Sequence, residues 1–328
     1  MPVKNSDAKM WARQSVKGLW TTPMIPMLPD GSIDHAGIAA NVERILSLDV
    51  GGIGFGFSEP WYLTLAERMA SFKTFVTAVG KRVPCYVHSI DYSVPETINL
   101  TRYCTELGAD AVMLWVPMEF SKTEQLACEW FEYVASQVEM PIFAYNTYHS
   151  NRNLSIDAIR RIARIENVVA LKDAVNDFEH TVAAMQAVGD QILVSNPLEE
   201  YLPAMLIHSD QQVMLGTTSV FLMQSPGCKP INEYVELIRQ GNQAAAWAKY
   251  YELKPLRDLW SSVYSVLWNR TGAEHPIATI KYWMELMGMH GGPVRPPLKP
   301  LTDSAKAEFR DRLEATGWLA KLRVPSLA

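Results

Sequence analysis

The stretch "NVVALKDAVND", residues 167–177, reads as a buried strand with a lysine set inside it. Val168, Val169, Ala170 and Leu171 run ahead of Lys172, and Ala174 and Val175 follow. A buried ammonium costs several kcal/mol unless it is paired or gives up its proton. The segment by itself therefore has two readings. Either Lys172 snorkels to water or pairs with Asp173 at a strand end, or it is a desolvated amine kept for its chemistry.

Outward from this strand the same alternation recurs along the chain. Apolar runs lie at "GLWTTPM" (18–24), "GGIGFGF" (51–57), "PCYVHSI" (84–90), "AVMLWVP" (111–117), "PIFAYNT" (141–147), "VVALKDA" (168–174), "ILVSNP" (192–197) and "QVMLGTTSV" (212–220). Between them stand amphipathic stretches such as "DHAGIAANVERILSLD" (34–49), "TEQLACEWFEYVASQV" (123–138) and "SIDAIRRIARI" (155–165), with apolar residues three and four apart. Strict strand–helix alternation calls for a parallel sheet with crossover helices. Eight such units, each of about 27 residues, match a (β/α)8 TIM barrel. A doubly wound open sheet is the competitor, but "GGIGFGF" continues with Phe57 and Ser58 where a dinucleotide fingerprint would go on, and no P-loop occurs. The expected organisation is an N-terminal segment (1–17), the barrel (18–240) and a C-terminal helical extension (241–328) packed on it. No polar linker precedes the extension, whose helices read from "GNQAAAWAKYYELKPLRDLWSSVYSVLW" (241–268), "HPIATIKYWMELMGM" (275–289) and "SAKAEFRDRLEATGWL" (304–319).

Composition narrows the function classes. Of 328 residues 48% are hydrophobic, and 30 basic residues against 35 acidic ones give a net charge of −5. Basic stretches are short and scattered, which argues against a nucleic-acid partner. Cys85, Cys104, Cys128 and Cys228 are far apart with no CxxC pair, so neither a disulfide framework nor a zinc site is expected. The opening "MPVKNSDAKMWARQ" has no apolar signal-peptide core, and no stretch reaches the roughly 18 apolar residues of a membrane span. The expectation is a soluble, cytoplasmic protein with no membrane partner.

In such a barrel the chemistry sits at the C-terminal strand ends. The polar residues there are Thr21 and Thr22, Ser58 and Glu59, His88, Tyr145 and Asn146, Lys172 and Asp173, Ser195 and Asn196, and Thr217 and Thr218. No trio of His, Asp and Glu gathers at these ends, so no metal is expected, and His88 alone reads as a core or pocket histidine. Tyr145 and Lys172 fall on adjacent strands. A lysine of lowered pKa attacks carbonyls as the neutral amine, and a neighbouring phenol can shuttle the protons.

At this point the chain resembles the dihydrodipicolinate synthase / N-acetylneuraminate lyase superfamily of class I pyruvate-dependent lyases. The resemblance runs from "GLWTTPMIPMLPDGSIDH" to "RPPLKPLTDSAKAEFRDRL", and its most specific marks are "YN" after strand five, "LKDA" on strand six and "GFSEPWYLTLAER". It implies that Lys172 is the Schiff-base lysine and Tyr145 the phenol that assists it, with no cofactor. A homo-oligomer is implied too, with tetramers built from two dimers common in the family. The substrate-binding residues on this reading are Gly56, Phe57, Ser58 and Glu59 after strand two, with Ser58 and the 56–58 amides holding the carboxylate. Asn146, Met118, Met214 and Gly216 complete the set.

Three departures point toward one branch. The family's GTTGE turn carries two threonines, where this chain reads Phe55, Gly56, Phe57, Ser58 and Glu59. The synthases place a tyrosine after strand four, where "VPMEFSK" has Met118 and Glu119, and Leu198 stands where a sialic-acid lyase has a sugar-binding acid. The hydratase-aldolases, which cleave aryl-substituted 2-oxobut-3-enoates to pyruvate and an aromatic aldehyde, are similar in having "VPM" and an aromatic residue in that turn. A mouth with Phe57, Trp61, Tyr62, Trp115 and Met118 suits a flat apolar acceptor, although Trp61, Tyr62 and Trp115 are equally read as barrel packing or subunit interface. The expected function is a Schiff-base lyase joining or splitting a 2-oxo acid and an aromatic or apolar aldehyde. Open alternatives are a dehydratase of a sugar-derived 2-oxo acid, using Glu119, Arg152, Glu199 or Glu200, a dihydrodipicolinate-synthase-like condensation, and a non-catalytic 2-oxo-acid-binding protein on the same scaffold.

Overall fold

The computed structural model describes residues 3–57, 60–269 and 276–323. Its strands are β1 (Gly18–Thr21), β2 (Gly52–Phe55), β3 (Cys85–Val87), β4 (Ala111–Leu114), β5 (Ile142–Thr147), β6 (Val168–Ala174), β7 (Leu193–Ser195) and β8 (Val213–Leu215). They form one sheet in the order β7-β6-β5-β4-β3-β2-β1-β8, with parallel pairing. This is a nearly closed TIM barrel. At the seam between β7 and β8, side chains replace the ladder: the Leu215 N–H donates to Ser195 Oγ (2.8 Å) and the Asn196 N–H to the Gln211 side-chain carbonyl (2.7 Å).

Except for β6, the strands are shorter than the apolar runs that announced them. Met24, Phe57, Ile90, Trp115 and Val116 continue those runs beyond the last paired residue and are all buried. Apolar patterning reports burial, and the loops at this end of the barrel are themselves packed, so the pattern overran the hydrogen-bonded ladder.

Two compact units share the chain. The first comprises the chain up to Trp20, Gly51–Phe55 and Gly80–Gly216, and so holds the sheet apart from Thr21. It also holds helices α1 (Asn5–Ser15), α4 (Val94–Leu107), α5 (Glu124–Ser136), α6 (Ile156–Ala163), α7 (Phe178–Val188) and α8 (Leu202–Ser209). Helix starts follow capping chemistry: Thr123, Ser155 and Asp177 each accept a backbone N–H three residues on. The second unit contains Thr21–Val50, Gly56–Val79 and the chain from Thr217 onward. Within it Arg295 clasps Glu67 through two nitrogens (2.6 and 3.0 Å), and Asn41 exchanges hydrogen bonds with the His290 backbone (2.8 and 2.9 Å). These bonds tie the segment after the helix Ile277–Leu286 to α2 (His35–Leu46) and α3 (Leu65–Val79). Among the described residues no helix is long and apolar enough to cross a membrane.

The first seventeen residues, read only as an N-terminal segment, contain α1, and its side chains close one end of the barrel. Asn5, Lys9 and Arg13, spaced four apart on one stripe, donate to the carbonyls of Val138 (3.1 Å), Ala163 (2.6 Å) and Gly189 (2.8 Å). Those carbonyls lie just before β5, β6 and β7, and Gln212, just before β8, donates back to Arg13 O and Val16 O (3.0 and 2.8 Å). Ala8, Ala12 and Val16 bury the adjoining stripe.

Above that plug three rings fill the interior. Trp20 stacks on Tyr86 (5.8 Å between centroids), and both meet Phe143 edge-on (5.8 and 5.5 Å). Gly52 and Gly54 make this layer fit, since a Cβ on Gly52 would lie 2.3 Å from the Trp20 ring and one on Gly54 would lie 2.1 Å from the Tyr86 ring. Gly54→Ala should accordingly destabilise the protein by about 1–3 kcal/mol, the usual cost of overpacking. Thermal unfolding followed by circular dichroism should show a melting temperature several degrees lower. An unchanged value would mean that Tyr86 has another place to go.

Candidate active site

In a parallel strand alternate residues face the barrel interior, so Tyr86 is followed inward by His88, Phe143 by Tyr145, and Ala170 by Lys172. The register pairs Tyr145 directly with Lys172. Lys172 has no exposed surface, Tyr145 is 2% exposed, and Lys172 Nζ lies 4.8 Å from the centre of the Tyr145 ring. Three more rings continue the cluster. His88 stands 6.2 Å from Tyr145 and 5.7 Å from Trp115, Trp115 meets Tyr145 edge-on at 5.9 Å, and His149, from the loop after β5, stacks on Trp115 at 5.3 Å.

Burial sets the electrostatics. Desolvation lowers the Lys172 amine to about 7, so near neutral pH much of it is the nucleophilic free base. His88 is pushed well below its ordinary value, by burial first and then by the charges of Lys172 and His149, and is therefore a neutral ring. Burial raises the Tyr145 phenol, against a hydrogen bond with Thr147 that lowers it, so Tyr145 keeps its proton and acts as an O–H donor.

The residues between these point the other way. Asp173, fully buried, accepts from Asn146 Nδ2 (2.8 Å) at one oxygen, and from Thr181 Oγ1 (2.8 Å) and His180 Nδ1 (2.9 Å) at the other. His180 Nε2 meets the Leu154 carbonyl (2.9 Å), while the Leu154 N–H donates to Asn146 Oδ1 (3.0 Å). Asn196 Nδ2 donates to Thr181 Oγ1 (3.0 Å). One hydrogen-bonded patch thus joins β5, β6, the end of β7, the first turn of α7 and the loop before α6.

The remaining expected residues are distributed unevenly. Asn146, expected to bind substrate, commits both ends of its amide to Asp173 and Leu154 on the outer face. Met214 pairs with Leu19, one step from the Trp20–Leu215 pair whose tryptophan lies inside, so the register turns Met214 outward as well. Gly216 is buried directly after β8, and Met118, in the turn after β4, is 50% exposed. Gly56, with φ +83°, and Phe57, 2% exposed, follow β2 in the second unit. Ser58 and Glu59 lie outside the described residues. His149 and His180 were not singled out from sequence. The signals were an aromatic pair just past a strand end, "YH" at 148–149, and a histidine three residues after the helix-capping Asp177. Among the described residues no group of three His, Cys, Asp or Glu is placed to hold a metal ion.

Comparison with known proteins identifies the family. The model of the dihydrodipicolinate synthetase family matches residues 15–316. The 4-hydroxy-tetrahydrodipicolinate synthase of Methanothrix thermoacetophila is 26% identical over 300 residues, covering 90% of this chain and 96% of that protein. Its counterpart from Methanoculleus marisnigri is 29% identical over 283 residues, covering 84% and 90%. Among solved structures, YagE of E. coli K12, a prophage protein of the dihydrodipicolinic acid synthase family solved in complex with pyruvate, is similar with a TM-score of 0.79 at 22% identity, covering 92% of this chain and 98% of that one. The chain belongs to the dihydrodipicolinate synthetase family and is a class I Schiff-base lyase.

An amine lowered to about 7 makes imine formation pH-dependent in a defined direction. Trapping of pyruvate on the protein with cyanoborohydride should accelerate as pH rises through about 7 and level off above it, because only the deprotonated amine attacks. A rate that is flat from about pH 6 to 9 would show that the attacking amine is not this one.

Proposed function

We propose that the protein is a hydratase-aldolase-type lyase that joins or splits a 2-oxo acid and an aromatic or apolar aldehyde. Lys172 Nζ attacks the C2 carbonyl, and Tyr145 donates the proton with which the carbinolamine loses water. The resulting iminium accepts the electron pair of the C3–C4 bond as it breaks. The substrate hydroxyl on C4 gives up its proton to become the aldehyde. The enamine is then protonated at C3, and hydrolysis releases pyruvate and the free lysine. With an unsaturated 2-oxobut-3-enoate, water adds at C4 first, while the iminium activates the double bond.

The observation that carries this reading is the ring cluster beside the lysine: Trp115, His149, His88 and Tyr145, with Trp115 only 3% exposed. An aryl group buried against such rings gains roughly 25 cal/mol per Å². A sugar hydroxyl left without a partner loses about 1–3 kcal/mol. Two of the polar groups that a sugar acid would need are engaged elsewhere. Arg152 donates to the carbonyls of Ser121 (2.7 Å) and Lys122 (2.9 Å), and Glu119 pairs with Lys122 on the surface (2.5 Å). Glu199, buried, and Glu200, half-buried, are the other two. Leu198, where a sugar-binding acid was sought, is a buried apolar residue.

A second reading, condensation in the manner of the synthases, draws on the names of the relatives. It lacks the tyrosine after β4 and the paired threonines after β2 that the resemblance leads one to expect. A panel of aldehydes condensed with pyruvate separates the readings. Benzaldehyde-type acceptors should exceed glyceraldehyde-type ones in kcat/KM by about 10² to 10⁴, the worth of two unpaired hydroxyls. A preference for polyols, or for the synthases' own aldehyde, overturns the proposal.

Borohydride reduction with pyruvate should add one pyruvyl group to the peptide containing Lys172, and Lys172→Ala should abolish both adduct and turnover. An adduct on Lys73, Lys229 or another lysine refutes the assignment. Tyr145→Phe should cut turnover by roughly 10² to 10⁴ while the protein stays folded. Activity within about threefold of the parent would mean that another group carries the proton.

A further inference from the structure

We propose that His180 is a positioning residue for the Schiff-base lysine: an imidazolium that cancels the buried charge of Asp173 directly behind Lys172 and holds the Leu154 segment in place. The inference rests on Lys172 being the imine-forming residue. The hydrogen-bond chemistry of the ring carries it. Nδ1 faces an Asp173 carboxylate oxygen at 2.9 Å and Nε2 faces the Leu154 carbonyl oxygen at 2.9 Å. A neutral imidazole has one N–H and cannot donate to both. Asp173 already accepts from the Asn146 amide and the Thr181 hydroxyl. The Asn146 amide cannot be reversed, because its oxygen is fixed by the Leu154 N–H. Carboxylate and imidazolium therefore face each other as a pair of zero net charge.

The position of the pair gives it a role beyond packing. Asp173 is the next residue after Lys172, on the opposite face of β6, and has no exposed surface. An unneutralised carboxylate there would favour the ammonium and oppose the desolvation that frees the amine. His180 removes that bias. The other groups facing the pair are Asp177, the helix cap beside His180, and the Leu154 carbonyl. Those facing Lys172 are Tyr145, a phenol, His88, a neutral ring, and His149 beyond it. The direct hydrogen bond that His180 donates to Asp173, the Asp173 charge, the Leu154 carbonyl and the Asp177 charge all raise the His180 pKa, against partial burial.

The same ring has a second hold on the site. Leu154 closes the loop that begins at Tyr148 and carries His149, the ring stacked on Trp115. With its N–H on Asn146 and its carbonyl on His180, Leu154 is bound at both backbone groups to residues of the outer patch. Loss of the imidazolium would therefore be felt both as a field at the lysine and as freedom in the loop.

The test measures the pH midpoint of cyanoborohydride-trapped pyruvyl adduct on Lys172 for the parent protein, His180→Gln and the double variant Asp173→Asn/His180→Gln. His180→Gln leaves a carboxylate without its counter-charge, so the midpoint should rise by about one pH unit, with trapping at high pH retained to within a few-fold. The double variant removes both charges and should return the midpoint to the parent value, which a purely structural role would not produce. An unshifted midpoint in folded His180→Gln, or a double variant that stays shifted, overturns the proposal. A second measurement needs no variant: in 15N-histidine-labelled protein both His180 ring nitrogens should carry protons at neutral pH, and a neutral ring there overturns the proposal. Absence of any adduct on Lys172 in the parent protein would instead refute the Schiff-base assignment itself.

Discussion

Desolvation of one amine is the constraint on which the site depends. Lys172 is fully enclosed, and that enclosure lowers its amine to about 7. Water has to be kept away from below and from the sides. From below this is done by the Trp20–Tyr86–Phe143 layer and, beneath it, by α1, whose Asn5, Lys9 and Arg13 bind the carbonyls that lead into β5, β6 and β7. Gly52 and Gly54 are as much a part of that floor as the rings, because a methyl at either position would occupy ring atoms. At the sides stand Tyr145, His88 and Trp115.

The two faces of β5 and β6 divide the labour. Tyr145 and Lys172 face inward, paired in register, where a phenol and an amine can exchange protons with a bound carbonyl compound. Asn146 and Asp173, one residue further along each strand, face outward into a network of amide, hydroxyl and imidazole. Rigidity comes from the outer face and reactivity from the inner one. A buried polar network of this kind is stabilising only when each member is satisfied. Here Asp173 has three donors, and the backbone of Leu154 is bound at both its N–H and its carbonyl. Closure of the barrel shows the same economy: between β7 and β8, where no ladder forms, Ser195 Oγ accepts the Leu215 N–H.

Much of this was legible in the sequence. Eight apolar runs alternating with amphipathic ones specify a parallel sheet and its crossovers, since period and order are written in the residues themselves. The adjacency of Tyr145 and Lys172 followed from strand order and the position of each near a strand end. Strand lengths were overestimated where buried loop residues such as Trp115 and Ile90 prolong the apolar pattern. Asn146 and Met214 were expected at the substrate site from the resemblance, whereas register, one residue in two, turns them away from the barrel interior.

What the sequence by itself determined is therefore the set of elements, their order, and the anomaly of a lysine in a buried strand, because each depends on local pattern and on the cost of burying charge. Only the tertiary structure decided which rings surround that lysine, that α1 closes the lower end, and that His180 stands across Asp173 with an acceptor at each of its nitrogens. Those relations join residues far apart in the chain, such as Asn5 with Val138 and Leu154 with His180. They follow from how the strands register and where the loops return. No periodicity in the sequence records them.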